Sequence, residues 1–104
     1  MTKLLFLVTA PNRDEALKIA NYLVEKRIAS CVNIINPIQS IYRWKGNIEN
    51  EEEILLLIKT TDQKSEILMK SINNLHSYET PECIGFKIEK GLPEYLKWIE
   101  NSVN

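Results

Sequence analysis

The side chains that could do chemistry in this chain are few and clustered. Tyr42, Trp44, Glu49, Glu51 and Glu53 fall within "SIYRWKGNIENEEE", the single histidine is His76 ahead of Ser77-Tyr78, and two cysteines stand apart at Cys31 and Cys83. Carboxylates beside large aromatics suit a hard divalent ion, a small-molecule pocket or the polar tip of a hairpin. A strand sends its side chains outward in parallel, whereas oxygen-ligated sites wrap an ion in a loop, so the glutamates by themselves read as a solvated edge that resists aggregation. Exposed aromatics near a hairpin tip instead meet another chain or a ligand. His76 can be a helix-end cap, a packing group, a ligand or a general base. A thiolate from Cys31 or Cys83 joined by His76 would select copper or zinc over magnesium or calcium. There is no CxxC spacing, and free buried thiols are expected at both cysteines. No nucleophile elbow, P-loop, glycine-rich dinucleotide fingerprint or HExxH helix occurs, and an acid–base pair of Glu49 with Tyr42 has no sign of the tuning it would need. An enzyme is not expected.

The elements that position these residues belong to a small fold. The 104 residues suit one domain, 1–104, and the net charge of −1 offers no general attraction for nucleic acid or anionic lipid. The apolar run from Leu4 to Val8 is too short for a membrane span and lacks a leader's cleavage site, so a soluble, cytoplasmic protein is expected. "KLLFLVT" reads as a first strand. Asn12 with Glu15 forms a capping box for a helix whose Ala16, Ile19, Ala20, Leu23 and Val24 recur at helical spacing. A second strand runs from Cys31 past Pro37, which should bulge it at a sheet edge, and Lys45-Gly46 turns it into a third strand ending near Thr60. Thr61 or Asp62 would cap a second helix lined by Leu68, Ile72 and Leu75 and ending near Asn73-Asn74. The loop "HSYETPE" and strand "CIGFKI" follow. Pro93 opens a last helix with Leu92, Tyr95, Leu96, Ile99 and Val103 facing inward. The order β-α-β-β-α-β-α is that of a ferredoxin-like α+β fold, an antiparallel sheet with both long helices on one face.

One feature conflicts with a solitary subunit. Leu5, Leu7, Leu55 and Leu57 alternate with Phe6, Val8, Leu56 and Ile58, so both sheet faces are apolar although the two long helices cover only one. Another copy of the chain is the simplest cover, with the last helix folding across that face as the competing explanation. If Lys45-Gly46 is a two-residue turn, Trp44 faces Asn47, Tyr42 faces Glu49, Ser40 faces Glu51 and Ile38 faces Glu53. That register gathers Tyr42, Trp44, Glu49, Glu51 and Glu53 on one face.

"ASCVNI", "SIYRWKGNIENEEE", "LIKTT", "HSYETPE" and "YLKWI", in this order and spacing, closely resemble the CutA family of divalent-cation tolerance proteins over nearly the whole chain. The resemblance implies a ferredoxin-like subunit in a tight homotrimer, similar in build to PII signalling proteins, with long hairpins bridging neighbours and clefts between subunits. It implies a part in tolerance of copper and other divalent cations, a bound divalent metal with copper foremost, and no established enzymatic reaction. The positions matching the family's motif are Cys31, Tyr42, Trp44, Glu49, Glu53, Lys59, His76, Tyr78, Pro81, Glu82 and Trp98. On this reading Cys31 and His76 contact metal, while Tyr42, Trp44, Glu49, Glu53, Lys59, Tyr78 and Trp98 line the cleft. The alternative is a PII-like sensor or scaffold that holds a small anion or a partner protein in the cleft, Lys59 supplying the charge. Some members carry a cysteine near the end of the first strand and paired histidines after the second helix. Val8 and Leu75-His76 stand there in this chain, which weakens a copper site of that kind.

Overall fold

The computed structural model describes Met1–Asn104 and orders its elements as β1 (Lys3–Ala10), α1 (Arg13–Glu25), β2 (Cys31–Trp44), β3 (Asn47–Thr61), a short 3-10 turn (Asp62–Lys64), α2 (Ser65–Leu75), β4 (Cys83–Lys87) and α3 (Pro93–Ser102). Asn12 is extended, and its Oδ1 accepts from the Glu15 backbone N–H at 2.8 Å, so α1 begins where the capping signal places it. It ends in a Schellman arrangement around Arg27 (φ 58°), in which the N–H groups of Ile28 and Arg27 donate to the carbonyls of Leu23 and Val24. The start of α2 departs from expectation. Neither Thr61 nor Asp62 caps it through a side chain; the 3-10 turn comes first, and Ser65 Oγ donates to the Asp62 carbonyl at 2.8 Å. The helix runs on through Asn73-Asn74 to Leu75, with His76 as its C-cap.

The strands form one antiparallel sheet in the order β2-β3-β1-β4, the ferredoxin-like arrangement. Lys45 (φ 49°) and Gly46 (φ 83°) both occupy the left-handed region, which makes the turn type I′. It sets the predicted pairs Trp44–Asn47, Tyr42–Glu49, Ser40–Glu51 and Ile38–Glu53. The register shifts between Ile35 and Ile38, at Pro37, and β2 is an edge strand, as the proline requires. No helix is long and apolar enough to cross a membrane.

Phe6, Val8 and Ala10 of β1 and Ile54, Leu56 and Ile58 of β3 share one face and pack with Ile19 and Leu23 of α1 and Leu68 and Ile72 of α2. Tight packing reaches the sheet edge: a Cβ on Gly85 would stand 2.7 Å from Phe6 Cε1. The opposite face carries Leu5, Leu7, Leu55 and Leu57, beside Ile35 of β2 and Ile84 and Phe86 of β4. The last helix does cross that face at one end. Lys59 Nζ lies 5.6 Å from the Tyr95 ring centroid, Lys3 Nζ is 3.7 Å from Glu100 Oε1, and Ile99 and Val103 are buried. Of the five residues expected to face inward, Leu96 is half-buried, while Leu92 (78% exposed) and Tyr95 (41%) are not buried within this chain. A ten-residue helix is about 15 Å long, so it leaves Ile35, Ile84 and Phe86 exposed and Leu7, Leu55 and Leu57 half-buried.

Candidate functional site

The loop after α2 is what converts the hairpin into a site. His76 is buried; its Nε2–H donates to the Thr9 carbonyl at 2.6 Å, and its Nδ1 accepts from the Tyr78 backbone N–H at 3.1 Å. Glu15 Oε2 lies 3.3 Å from that Nδ1 and accepts from the Ser77 N–H at 3.1 Å. These bonds tie the loop to β1 and α1. Tyr78 is thereby aimed at the hairpin, and its hydroxyl donates to Glu53 Oε2 at 2.8 Å. Glu53 is only 5% exposed, and the phenol supplies a hydrogen bond that a buried carboxylate requires.

Between hairpin and loop lies a groove of about 560 Å³, lined by Thr9, Gln39, Ser40, Ile41, Tyr42, Trp44, Glu53, Tyr78, Glu79, Thr80 and Glu82. At its rim Lys45 Nζ is 3.5 Å from Glu79 Oε2 and 5.6 Å from the Trp44 ring centroid. Its electrostatics are those of crowded anions. Loss of solvent and then the hydrogen bond to Glu53 push the Tyr78 hydroxyl well above the usual tyrosine value. Tyr42 is raised by desolvation and then by Glu51, Glu53 and Glu49. Desolvation and then Glu53 raise the Glu82 carboxyl, and burial and then Glu82 push the Cys83 thiol up to about 11.

The residues singled out from the sequence divide into two places. Tyr42, Trp44, Glu53, Tyr78 and Glu82 meet at the groove, with Glu49 beside Tyr42 across the hairpin and Pro81 in the bounding loop. Cys31, Lys59 and Trp98 gather at the α3 end of the sheet instead. There Lys59, paired with Cys31 across the ladder, donates to Asn33 Oδ1 at 2.8 Å and lies over Tyr95, which stacks on Trp98 with centroids 5.4 Å apart. His76 is anchored at Thr9, level with Leu55, whereas Cys31 is level with Lys59; four residues of strand separate them by about 13 Å. Both His76 nitrogens are engaged, and no three His, Cys, Asp or Glu side chains converge within the chain. Cys31 and His76 therefore do not fit a shared metal site inside one subunit. Sequence reading missed Thr9, Gln39, Ser40, Ile41, Glu79 and Thr80 as groove residues; the register placed Ser40 on the right face, but nothing local announces which strand the loop crosses.

A four-stranded antiparallel sheet backed by two helices, with an overlong hairpin closed by the loop after α2, defines a ferredoxin-like α+β protein. A family model described as CutA1 divalent ion tolerance protein matches residues 4–102, and the chain belongs to that family. It is 47% identical over 96 residues to the Protein CutA homolog of Xenopus laevis, covering 92% of this chain and 64% of that protein. It is 42% identical over 96 residues to the divalent-cation tolerance protein CutA of Thermus thermophilus, covering 92% and 93%. The chain thus spans just under two thirds of the first relative and nearly all of the second. Among solved structures, the periplasmic divalent cation tolerance protein CutA from Archaeoglobus fulgidus matches with a TM-score of 0.95 at 39% identity, covering 98% of this chain and 99% of that one.

Proposed function

We propose that the protein acts as a homotrimer in the response to divalent metal ions, copper foremost, and is not an enzyme. The observation that carries the response to divalent cations is the negative field of the groove, and copper stands foremost on the family resemblance alone. Glu53, Glu79 and Glu82 line it, Glu49 and Glu51 flank it, and Lys45 is the one cation paired with a carboxylate there. Such a field concentrates cations and repels anions. The relatives' description as divalent-cation tolerance proteins supports the same direction. Because no three ligands converge within a chain, an ion would be ligated by groups of more than one subunit. The partly covered sheet face supports assembly, and three subunits is the number that the family resemblance implies. Two unpaired thiols suit the reducing cytoplasm.

Native mass spectra recorded with and without limiting copper and zinc test this. A trimer carrying a fixed number of ions, reduced in Glu53→Gln and Glu82→Gln and unchanged in Cys31→Ala, is the expected result. A trimer that stays bare, or takes ions in a graded ladder, would make metal tolerance an indirect phenotype. The PII-like sensor of a small anion finds no seat in the groove, since Lys59 is engaged by Asn33 and Tyr95 elsewhere. It would have to use the Lys59 end, and tryptophan fluorescence during a screen of nucleotides and organic acids decides whether it does.

A further inference from the structure

We propose that α3 is a hinged strap, which opens from the sheet as a unit about the connection 89–92 while the rest of the fold stays closed, and so uncovers the Lys59 end of the apolar face. This goes beyond metal response and does not depend on it.

Three observations lead there. The packing beneath α3 is thin and separate from the main core. Helix α1 buries Ala16, Ile19, Ala20 and Leu23 in that core, whereas α3 buries only Ile99, with Val103 at its C-cap, and neither joins the core cluster. The Lys3–Glu100 pair at 3.7 Å and the bond from Arg27 Nη1 to the Asn104 carbonyl at 3.3 Å are open to solvent, which leaves Ser30 Oγ, donating to the Ile99 carbonyl, as the one buried hydrogen bond that reaches α3 from another element. The docked position also carries a cost. Thr61 is 1% exposed, and its Oγ1 is the one buried side-chain atom in the chain without a hydrogen-bond partner. It stands on the α3 face: its partner in the ladder is Lys3, which reaches Glu100, and two residues before it Lys59 lies over the Tyr95 ring. A buried hydroxyl without a partner is unfavourable, and water reaches it once the strap opens. Finally, the connection permits the motion. The last tie before α3 is the Ile88 N–H on the Lys3 carbonyl at 2.9 Å, and Glu89, Lys90, Gly91 and Leu92 beyond it are exposed and outside regular structure. The helix can therefore leave without breaking the ladder, releasing the Lys59 ammonium from the Tyr95 ring. Openings of this kind are drawn from elements with few buried apolar contacts.

Native-state hydrogen exchange of the assembled, full-length protein, read by mass spectrometry over a urea series, tests the proposal. Amides of α3 should exchange about tenfold or more faster than those of α1 and β1, with a weak dependence on urea because the opening exposes little surface. Thr61→Val, which keeps the shape and removes the unpartnered hydroxyl, should slow α3 exchange about fivefold or more. Ser30→Ala, which removes the buried tie, should speed it about fivefold. Ile72→Val, a mild truncation in the core under α2, should speed exchange in α1 and α2 about two- to tenfold and leave α3 unchanged. Exchange of α3 at the rate and urea dependence of α1, as when a neighbouring copy clamps the helix, would overturn the proposal. So would an α3 rate that follows Ile72→Val, or one that Thr61→Val does not slow. These outcomes are separate from the copper and zinc spectra, so either reading can fail alone.

Discussion

The two faces of the sheet are built from the same strands and meet different fates. On one, Phe6, Val8, Leu56 and Ile58 are sealed by α1 and α2; on the other, Leu7, Leu55 and Leu57 remain half-buried beside exposed Ile35, Ile84 and Phe86. Alternation along β1 and β3 supplies apolar side chains to both faces, but the chain carries helices enough for only one and a half. The first face secures the fold of a single chain. The second, finished only in part by α3, leaves apolar area whose burial can drive assembly.

The sharpest way to break this comparison is to truncate adjacent leucines of β3. Leu56→Ala, at a fully buried position, should lower stability by about 2–5 kcal/mol in urea unfolding. Leu57→Ala, one residue on and half-buried, should cost about 1 kcal/mol or less when subunits are dilute. Equal losses under those conditions would abolish the distinction. Leu57→Asp should instead dissociate the proposed assembly, which light scattering reads directly. The two thiols sharpen the comparison chemically. Cys83 packs against the helix-covered core, and a thiol raised from 9.0 to about 11 holds roughly a hundredfold less thiolate at pH 8 than an ordinary one, so iodoacetamide should modify it about a hundredfold more slowly. Cys31, on the other face, should be modified first.

At the hairpin tip the faces cease to differ, and effects shrink. Gly46→Ala forces a side chain into φ 83° and should cost about 1 kcal/mol, measurable by thermal unfolding, with no steric clash to add to it. The smallest effect should come from Glu82. Its carboxyl is raised above 4.5, so the folded chain holds that proton longer than the unfolded one. The contribution is fully favourable below pH 4.5 and is lost as pH rises through the folded value. Glu82→Gln should flatten that decline when urea midpoints at pH 4 and pH 7 are compared.

The fold was largely legible because its signals are local: Asn12 and Glu15 mark a helix start, Lys45-Gly46 fixes a register, and Pro37 marks a bulge on an edge strand. The inward set of α3 was misread at Leu92 and Tyr95 because helical periodicity defines a face but not how far the supporting surface extends. The groove was half legible. The register brought Tyr42, Trp44 and Glu53 to one face, whereas the Tyr78–Glu53 bond depends on a loop tied down by Thr9 and Glu15, residues remote in sequence. The same long-range anchoring keeps His76 away from Cys31.

Gly85 sits on the short outer strand and is exposed, a position at which substitutions would ordinarily pass unnoticed. Yet the Phe6 ring occupies the space where a side chain at 85 would begin, with two ring carbons 2.7 and 2.9 Å from the absent Cβ. Exposure and freedom to vary therefore part company at this residue. In a saturation library selected for folding, position 85 should look like a core position, and a smaller residue at position 6 should be what restores its tolerance.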